Sequence, residues 1–342
     1  MFRQVIERVI NGGHLDESTA YGVMAGIMNG EATPAQIAAL LVALRAKGET
    51  PDEVSGFARA IREKATPVRS RHTLLADTCG TGGDGANTFN ISTAAAFVVA
   101  AAGVPVAKHG NNAVSSRCGS ADVLKALGAV IDLDAAQVSR CLDTVGIAFL
   151  YAPRLNPAMR HAAGPRREIG IRTVFNLLGP LVNPANPAAQ VVGVFSRAAG
   201  ELVAHALAKG ENKRAFVVHG AGGLDEISLA GPALIWQVED GTVQKFTLDP
   251  ATLGFPYTPN EALAGGSPEE NAALLRNVLN GGTGALRDAV IINAALALVA
   301  AGSVSSMFEG VRWAGEVIDG GQAAKKLDDF VAFTREAGCA GA

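Results

Sequence analysis

The chain has 342 residues, 49% hydrophobic and 18% charged, with a formal net charge of −3 and a pI of about 6.1. That balance excludes wholesale disorder, which goes with low hydrophobicity, and a surface built to coat nucleic acid, which needs a basic excess. At a soft average of about 150 residues per domain the length predicts roughly two domains. Aromatics make up only 5%, so Ala, Val, Leu and Ile carry the core.

The first ten residues, MFRQVIERVI, mix charged with apolar side chains and lack the apolar centre of a signal peptide. Residues 1–70 predict a small helical domain. Asp16 can cap a helix whose apolar face is Ala20, Val23, Met24, Ile27 and Met28, ending near Gly30. Thr33-Pro34-Ala35-Gln36 joins a capping box to a proline in the first turn, and the stripe of Ile37, Leu40, Leu41 and Leu44 stops at Gly48. Thr50-Pro51-Asp52-Glu53 repeats the signal ahead of Val54, Phe57, Ala58 and Ile61. Nothing here points to chemistry. The apolar faces are free to bury one another or a partner subunit.

From about residue 71 the pattern becomes that of an α/β domain, 71–342, with a mostly parallel central sheet covered by helices. The predicted strands are 74–78, 104–107, 147–151, 191–195 and 215–219, and the predicted helices are 92–102, 120–127, 135–145 and 199–208. Segments 235–238 and 242–246, joined through Asp240-Gly241, predict an appended hairpin. Helix returns from about Pro268. The longest apolar stretch, 94–107, is 14 residues with Gly103 and Pro105 inside it, too short to span a bilayer. Cys79, Cys118, Cys141 and Cys339 show no metal-ligand spacing. With no signal peptide, these features predict a reducing cytoplasm.

Three segments at strand ends carry chemical content. The first runs from Asp77 to Thr93, with Gly80, Gly82, Gly83 and Gly85 interleaved with Asp84, Asn87, Thr88, Asn90 and Ser92. Four glycines within six residues cost more chain entropy than a plain turn requires. They leave backbone N–H groups able to face an anion, next to the positive end of a helix starting near Ser92. The spacing is neither a P-loop nor the Rossmann G-x-G-x-x-G. The second segment is Lys108-His109-Gly110-Asn111-Asn112-Ala113 and onward through Asp122, with Lys108 as a point charge for phosphate and Ser115, Ser116 and Ser120 as hydroxyl donors. The third, His219 to Glu226, ends in the pair Asp225-Glu226. An Asp-Glu dipeptide is usually a solvated surface feature; its place after a strand makes it a pair of hard oxygen ligands for Mg²⁺. No Ser/His/Asp or Cys/His set is legible.

These segments carry a resemblance. GTGGDG-x-x-TFNIST at 80–93, KHGN at 108–111, AVSS at 113–116, GSADVL at 119–124, RRE-x-G-x-RT-x-FNLLGPL-x-NP at 166–184 and HG-x-x-GLDE at 219–226 occur in one order along the chain. In this combination the chain resembles the anthranilate phosphoribosyltransferases of tryptophan biosynthesis over essentially its whole length. The resemblance implies a class II nucleoside phosphorylase-like fold. In that fold a small helical domain, joined by a helical excursion around 157–185, flanks the active-site cleft, and homodimers form through the helical domain. It implies that Gly80, Gly83, Asp84, Thr88, Asn90, Ile91, Ser92, Thr93, Lys108, Ser115, Ser116 and Ser120 bind phosphoribosyl pyrophosphate (PRPP). It further implies that Ser92, Asp225 and Glu226 hold two Mg²⁺ ions, that Lys108, Asp225 and Glu226 act in catalysis, and that Gly80, His109, Asn111 and Arg166 meet anthranilate. The chain departs from the family at Asn112, where Arg is usual, and at Asn156, where His is usual; Arg117 is a candidate to replace the lost charge. Two rival readings are a pyrimidine-nucleoside phosphorylase on the same fold and a non-catalytic nucleic-acid-binding paralogue. The intact phosphate and carboxylate segments argue against the first, and the acidic balance against the second.

Overall fold

The computed structural model describes residues 1–113, 117–210 and 214–339. Four helices come first: α1 (Phe2–Ile10), α2 (Glu17–Met28), α3 (Pro34–Lys47) and α4 (Pro51–Lys64). The Asp16 carboxylate accepts from the Thr19 N–H at 2.8 Å, and α3 and α4 open with complete capping boxes. α1 carries no side-chain cap; burial of Phe2, Val5 and Val9 holds it, packed on α3.

The α/β part runs β1 (Ala76–Gly80), α5 (Ile91–Ala101), β2 (Val106–Gly110), α6 (Ser120–Ala126), α7 (Ala135–Val145) and β3 (Ile147–Tyr151). The short α8 (Ala152–Leu155), α9 (Arg160–Ile169) and α10 (Phe175–Leu178) follow, with α9 packed back on α2 and α3. Next come β4 (Ala189–Gly193), α11 (Arg197–Ala208), β5 (Arg214–His219), β6 (Ala233–Glu239) and β7 (Thr242–Leu248). The last helices are α12 (Pro268–Leu279), α13 (Ala285–Ala300), α14 (Met307–Asp319) and α15 (Gln322–Cys339).

The seven strands lie in the order β3-β2-β1-β4-β5-β6-β7, parallel from β3 to β5 and antiparallel beyond. Strands β1 to β3 build outward on one side of β1 and β4 and β5 on the other, so the strand order reverses beside β1. Ligand crevices in open α/β sheets form at such a reversal, at the carboxyl ends of the strands. Asp240 and Gly241 at φ of 47° and 75° make the two-residue β6–β7 turn. The predicted β1 and β4 segments are each displaced by two residues, in opposite directions. The observed ladder runs in register from Ala76↔Ala189 to Gly80↔Gly193, so pairing rather than the apolar run sets the strand ends.

One apolar core lies on each face of the sheet. One face packs against α5, α7 and α12 to α15. On the other face, Val192, Val194, Val217, Trp236 and Val238 join α11 and the four N-terminal helices in a single cluster. Within the first 70 residues the most constrained point is Glu53, fully buried. Its carboxylate accepts from Leu15 N–H at 2.9 Å, Thr50 N–H at 2.9 Å and the Lys47 ammonium at 2.9 Å. Glu53→Ala strands a buried ammonium and two amides, so we expect a loss of about 3–5 kcal/mol, read as a lowered urea midpoint.

Candidate active site at the carboxyl ends of the strands

The loop between β1 and α5 turns through Gly82, Gly83 and Gly85 at φ of 63°, 78° and 78°, a region that side chains with a Cβ rarely enter. Its far end is pinned by Phe89 N–H donating to the Leu263 carbonyl and by Gly265 N–H donating to the Asn87 carbonyl, each at 2.9 Å; Thr88 bridges Ala264. Asn90 stands at the N-cap position of α5 but makes no side-chain cap. Its amide instead donates to the Cys118 carbonyl at 3.2 Å and accepts from buried Asn271 at 3.0 Å, tying the first loop to the second. Ile91 and Thr93 are buried, and the Thr93 hydroxyl has no partner among the described residues.

The Asp225–Glu226 segment drops onto this loop. A Cβ on Gly193 would overlap the Asp225 carbonyl, one on Gly80 the Asp225 carboxylate, and one on Gly220 the Glu226 carbonyl. Three glycines at or just beyond the ends of β1, β4 and β5 thus make room for the segment. Gly82 N–H donates to Asp225 Oδ2 at 2.8 Å, and Ser92 N–H at the start of α5 donates to Glu226 Oε1 at 3.2 Å. Asp84 Oδ2 accepts from Asp225 N–H at 3.4 Å. Burial raises the affinity of both carboxylates for protons. The charge of Asp84 adds to this at Asp225 and that of Asp225 at Glu226, while the Gly82 N–H and Lys108 oppose it.

Lys108 is 4% exposed, with its ammonium donating to the Thr78 carbonyl and to Ser92 Oγ, the latter at 3.4 Å. It bridges a split in the sheet, since β1 and β2 pair in register only at Ala76↔Val106. Asp77 fills the same split, accepting from His109 N–H at 3.2 Å and Asn183 Nδ2 at 2.9 Å. Burial pushes its carboxyl up to about 6, against the pull of Lys108.

The second loop closes on Asp122, which accepts from Ala113 and Gly119 N–H at 2.8 and 2.9 Å. Asn112 donates to Asp122 at 2.5 Å and accepts from Tyr151 Oη at 2.6 Å, while Arg117 is exposed. Asn111 is exposed, and Ser120 Oγ donates to the Asn111 carbonyl at 3.3 Å. Ser115 and Ser116 lie outside the described residues. His109 is buried; its Nδ1–H donates to the Gly179 carbonyl at 3.1 Å, leaving Nε2 as the acceptor facing Asn156 Nδ2 at 3.5 Å. The 157–185 excursion supplies Arg166, stacked over Phe175 at 4.8 Å with burial lowering its guanidinium pKa. It also supplies Arg172, which lies over Phe195 at 4.6 Å and donates to the Gly83 carbonyl.

Within the 166–184 motif only Arg166 carries an expected role; Arg172 and Asn183 lie in the same motif without one, and Asn271 and Gly193 lie outside every motif. Their signals are a polar residue or glycine at the edge of an apolar stretch, unremarkable until the partner across the fold is known.

The donors around Asp225 are hard oxygens: three carboxylates with Asp84 and the Ser92 hydroxyl. Among the described residues no three His, Cys, Asp or Glu side chains group tightly enough to hold a metal ion by themselves. That fits Mg²⁺, which usually combines one or two carboxylates with water and phosphate oxygens rather than an all-protein cage. Among the described residues no helix is long and apolar enough to cross a membrane.

Two family models match the chain, a glycosyl transferase helical bundle domain over residues 3–65 and a glycosyl transferase a/b domain over residues 72–324. The architecture is therefore that of the two-part glycosyl transferases. Anthranilate phosphoribosyltransferase of Pelotomaculum thermopropionicum is 59% identical over 339 residues, 99% of this chain and 98% of the relative. The crystal structure of the Thermus thermophilus anthranilate phosphoribosyltransferase superposes with a TM-score of 0.92 at 47% identity, covering 97% of this chain and 99% of that one. The Saccharomyces cerevisiae enzyme, solved in complex with PRPP and Mg, gives 0.90 at 26% identity, covering 98% of each chain. The chain belongs to the anthranilate phosphoribosyltransferase family.

Burial pushes the His109 imidazole down to about 4. The ring is accordingly expected to stay neutral, Nδ1-protonated, through the physiological range. ¹⁵N NMR of the ring across a pH titration checks this, and an inflection near the ordinary histidine value of about 6.5 would contradict it.

Proposed function

We infer that the chain transfers the 5-phosphoribosyl group of PRPP to the amine of anthranilate, releasing pyrophosphate, in L-tryptophan biosynthesis. The observation that carries the reading is the convergence of the glycine loop, the Lys108 ammonium and the Asp225–Glu226 pair at the reversal of the sheet.

In this reading Gly80, Gly83, Asp84, Thr88, Asn90, Ile91, Ser92, Thr93, Lys108, Ser115, Ser116 and Ser120 grip PRPP. Ile91 and Thr93, being buried, contribute through the backbone at the start of α5. Arg166 receives the acceptor's carboxylate, with Gly80, His109 and Asn111 beside it. Ser92, Asp225 and Glu226 hold two Mg²⁺ per subunit, and bound Mg²⁺ supplies neutralising charge to the diphosphate. The transition state is oxocarbenium-like, with negative charge growing on the departing pyrophosphate. Lys108 and the backbone donors of 80–85 stabilise that charge. The arylamine is already uncharged at neutral pH, so the chain orients it rather than deprotonating it. A neutral His109 is in keeping with that role.

The division into a helical domain at 1–70, joined by 157–185, and an α/β domain at 71–342 belongs to the same reading. So does a homodimer joined through the helical domain, supported by exposed Met1, Ile10 and Val42. Light scattering on the purified protein is expected to return twice the mass of one chain, and a monomer would remove the dimer from the reading. Four free cysteines agree with a cytoplasmic location.

A fluorescence assay of anthranilate consumption with PRPP, run with and without EDTA, tests the activity. Lys108→Ala and Asp225→Asn are each expected to lower kcat/KM by about 10²-fold or more, whereas Cys79→Ser leaves it near wild type. Normal turnover of the Asp225 variant at limiting Mg²⁺ would refute the metal assignment.

A further inference from the structure

Beyond its first turn α13 is apolar and largely buried, and from Ala289 to Ala300 its one polar residue is Asn293, 3% exposed. A buried amide in such a helix costs stability unless both its ends are paired. Asn293 Oδ1 accepts from Ile227 N–H at 2.9 Å, and Asn293 Nδ2 donates to the Ile227 carbonyl at 3.0 Å and to the Ala289 carbonyl one helical turn back at 2.9 Å. The side chain therefore pairs with both peptide groups of Ile227 as a neighbouring strand would. It also lines the same small cavity as Asp225, Glu226 and Ser92.

We propose that Asn293 is a positioning residue for the metal-holding carboxylates. The inference rests on the reading of Asp225 and Glu226 as those carboxylates. The peptide that donates to Asn293 Oδ1 is the one joining Glu226 to Ile227, so holding its plane removes one of the two backbone freedoms that set where the Glu226 side chain points. Gly193 and Gly220 admit the same segment without Cβ atoms. Glycine clearance lets the segment approach and the Asn293 amide holds it there. A carboxamide of this length offers a donor and an acceptor side by side, matching the N–H and carbonyl of one residue. An aspartate in its place would repel the Ile227 carbonyl, and a leucine would leave both Ile227 groups unpaired. A residue that merely packs α13 would affect folding alone. A positioning residue sets the geometry of the carboxylates before any ligand arrives.

Two measurements test this. In the wild-type protein, amide hydrogen exchange at Ile227 is expected to be slow in the absence of ligands and no slower with Mg²⁺ and PRPP added. Protection that appears only with those ligands overturns the proposal, because the ligand and not Asn293 would then order the segment. In Asn293→Leu, the Mg²⁺ concentration giving half-maximal rate is expected to rise about tenfold or more, the range for loss of a partner behind a metal ligand, while KM for anthranilate stays near wild type. Should that variant not fold, the wild-type exchange result decides alone. Asp225→Asn serves as the reference. If it leaves the Mg²⁺ dependence unchanged, the carboxylate assignment itself fails. If it shifts that dependence and Asn293→Leu does not, only the role of Asn293 is overturned.

Discussion

An ammonium group buried in the middle of a parallel sheet has to be solvated by the protein itself, and that requirement at Lys108 organises the site. The strands beside it cannot pair normally, because the Thr78 carbonyl that would serve a ladder is turned to the ammonium instead. β1 and β2 separate after a single register pair, and the gap is filled by Asp77, Asn183 and Lys108. The cost of burying these groups is offset only because each has a partner. The result is a fixed positive charge at the floor of a crevice, next to the start of α5 and at the point where strand order reverses.

Around that charge the chain assembles by close approach. Where ordinary side chains would hold segments apart, Gly193 and Gly220 let the Asp225–Glu226 backbone settle against the strand ends, and Gly80 makes room for the Asp225 carboxylate. Asn271 and Asn90 link the first loop to the second, and Arg172 reaches from the α9–α10 connection to the Gly83 carbonyl. The helical half is thereby coupled to the glycine loop through a residue that belongs to neither α1–α4 nor the sheet. The Gly82 N–H is satisfied by the Asp225 carboxylate, which ties the turn of the first loop to the acidic segment.

The two positions at which the chain departs from the expected pattern have local accounts. Asn112, where the resemblance led to an expectation of arginine, is held between the Tyr151 hydroxyl and the Asp122 carboxylate, so it braces the second loop through an uncharged side chain. Asn156, where the resemblance led to an expectation of histidine, directs its amide toward the unprotonated nitrogen of His109.

The helix starts at Thr33 and Thr50, the Asp240-Gly241 turn and the glycine loop were legible in the sequence because each is decided by residues within a few positions of one another. Glu53 shows the boundary. Its capping role follows from Thr50 three residues earlier, but its burial with Lys47 and its bond to Leu15 depend on three helices meeting. Asn90 stands where a cap would, yet ties the two loops together, through contacts to Cys118 and to Asn271, which is distant in sequence. By itself the sequence determined the alternation of strands and helices, the phosphate-type loop and the acidic pair, since backbone propensity and local composition suffice for these. Only the tertiary structure decided which strands run side by side, where the sheet splits around Lys108, and which buried amides brace Asp225 and Glu226. Those outcomes depend on contacts between residues far apart along the chain, and the order of residues does not encode such distances directly.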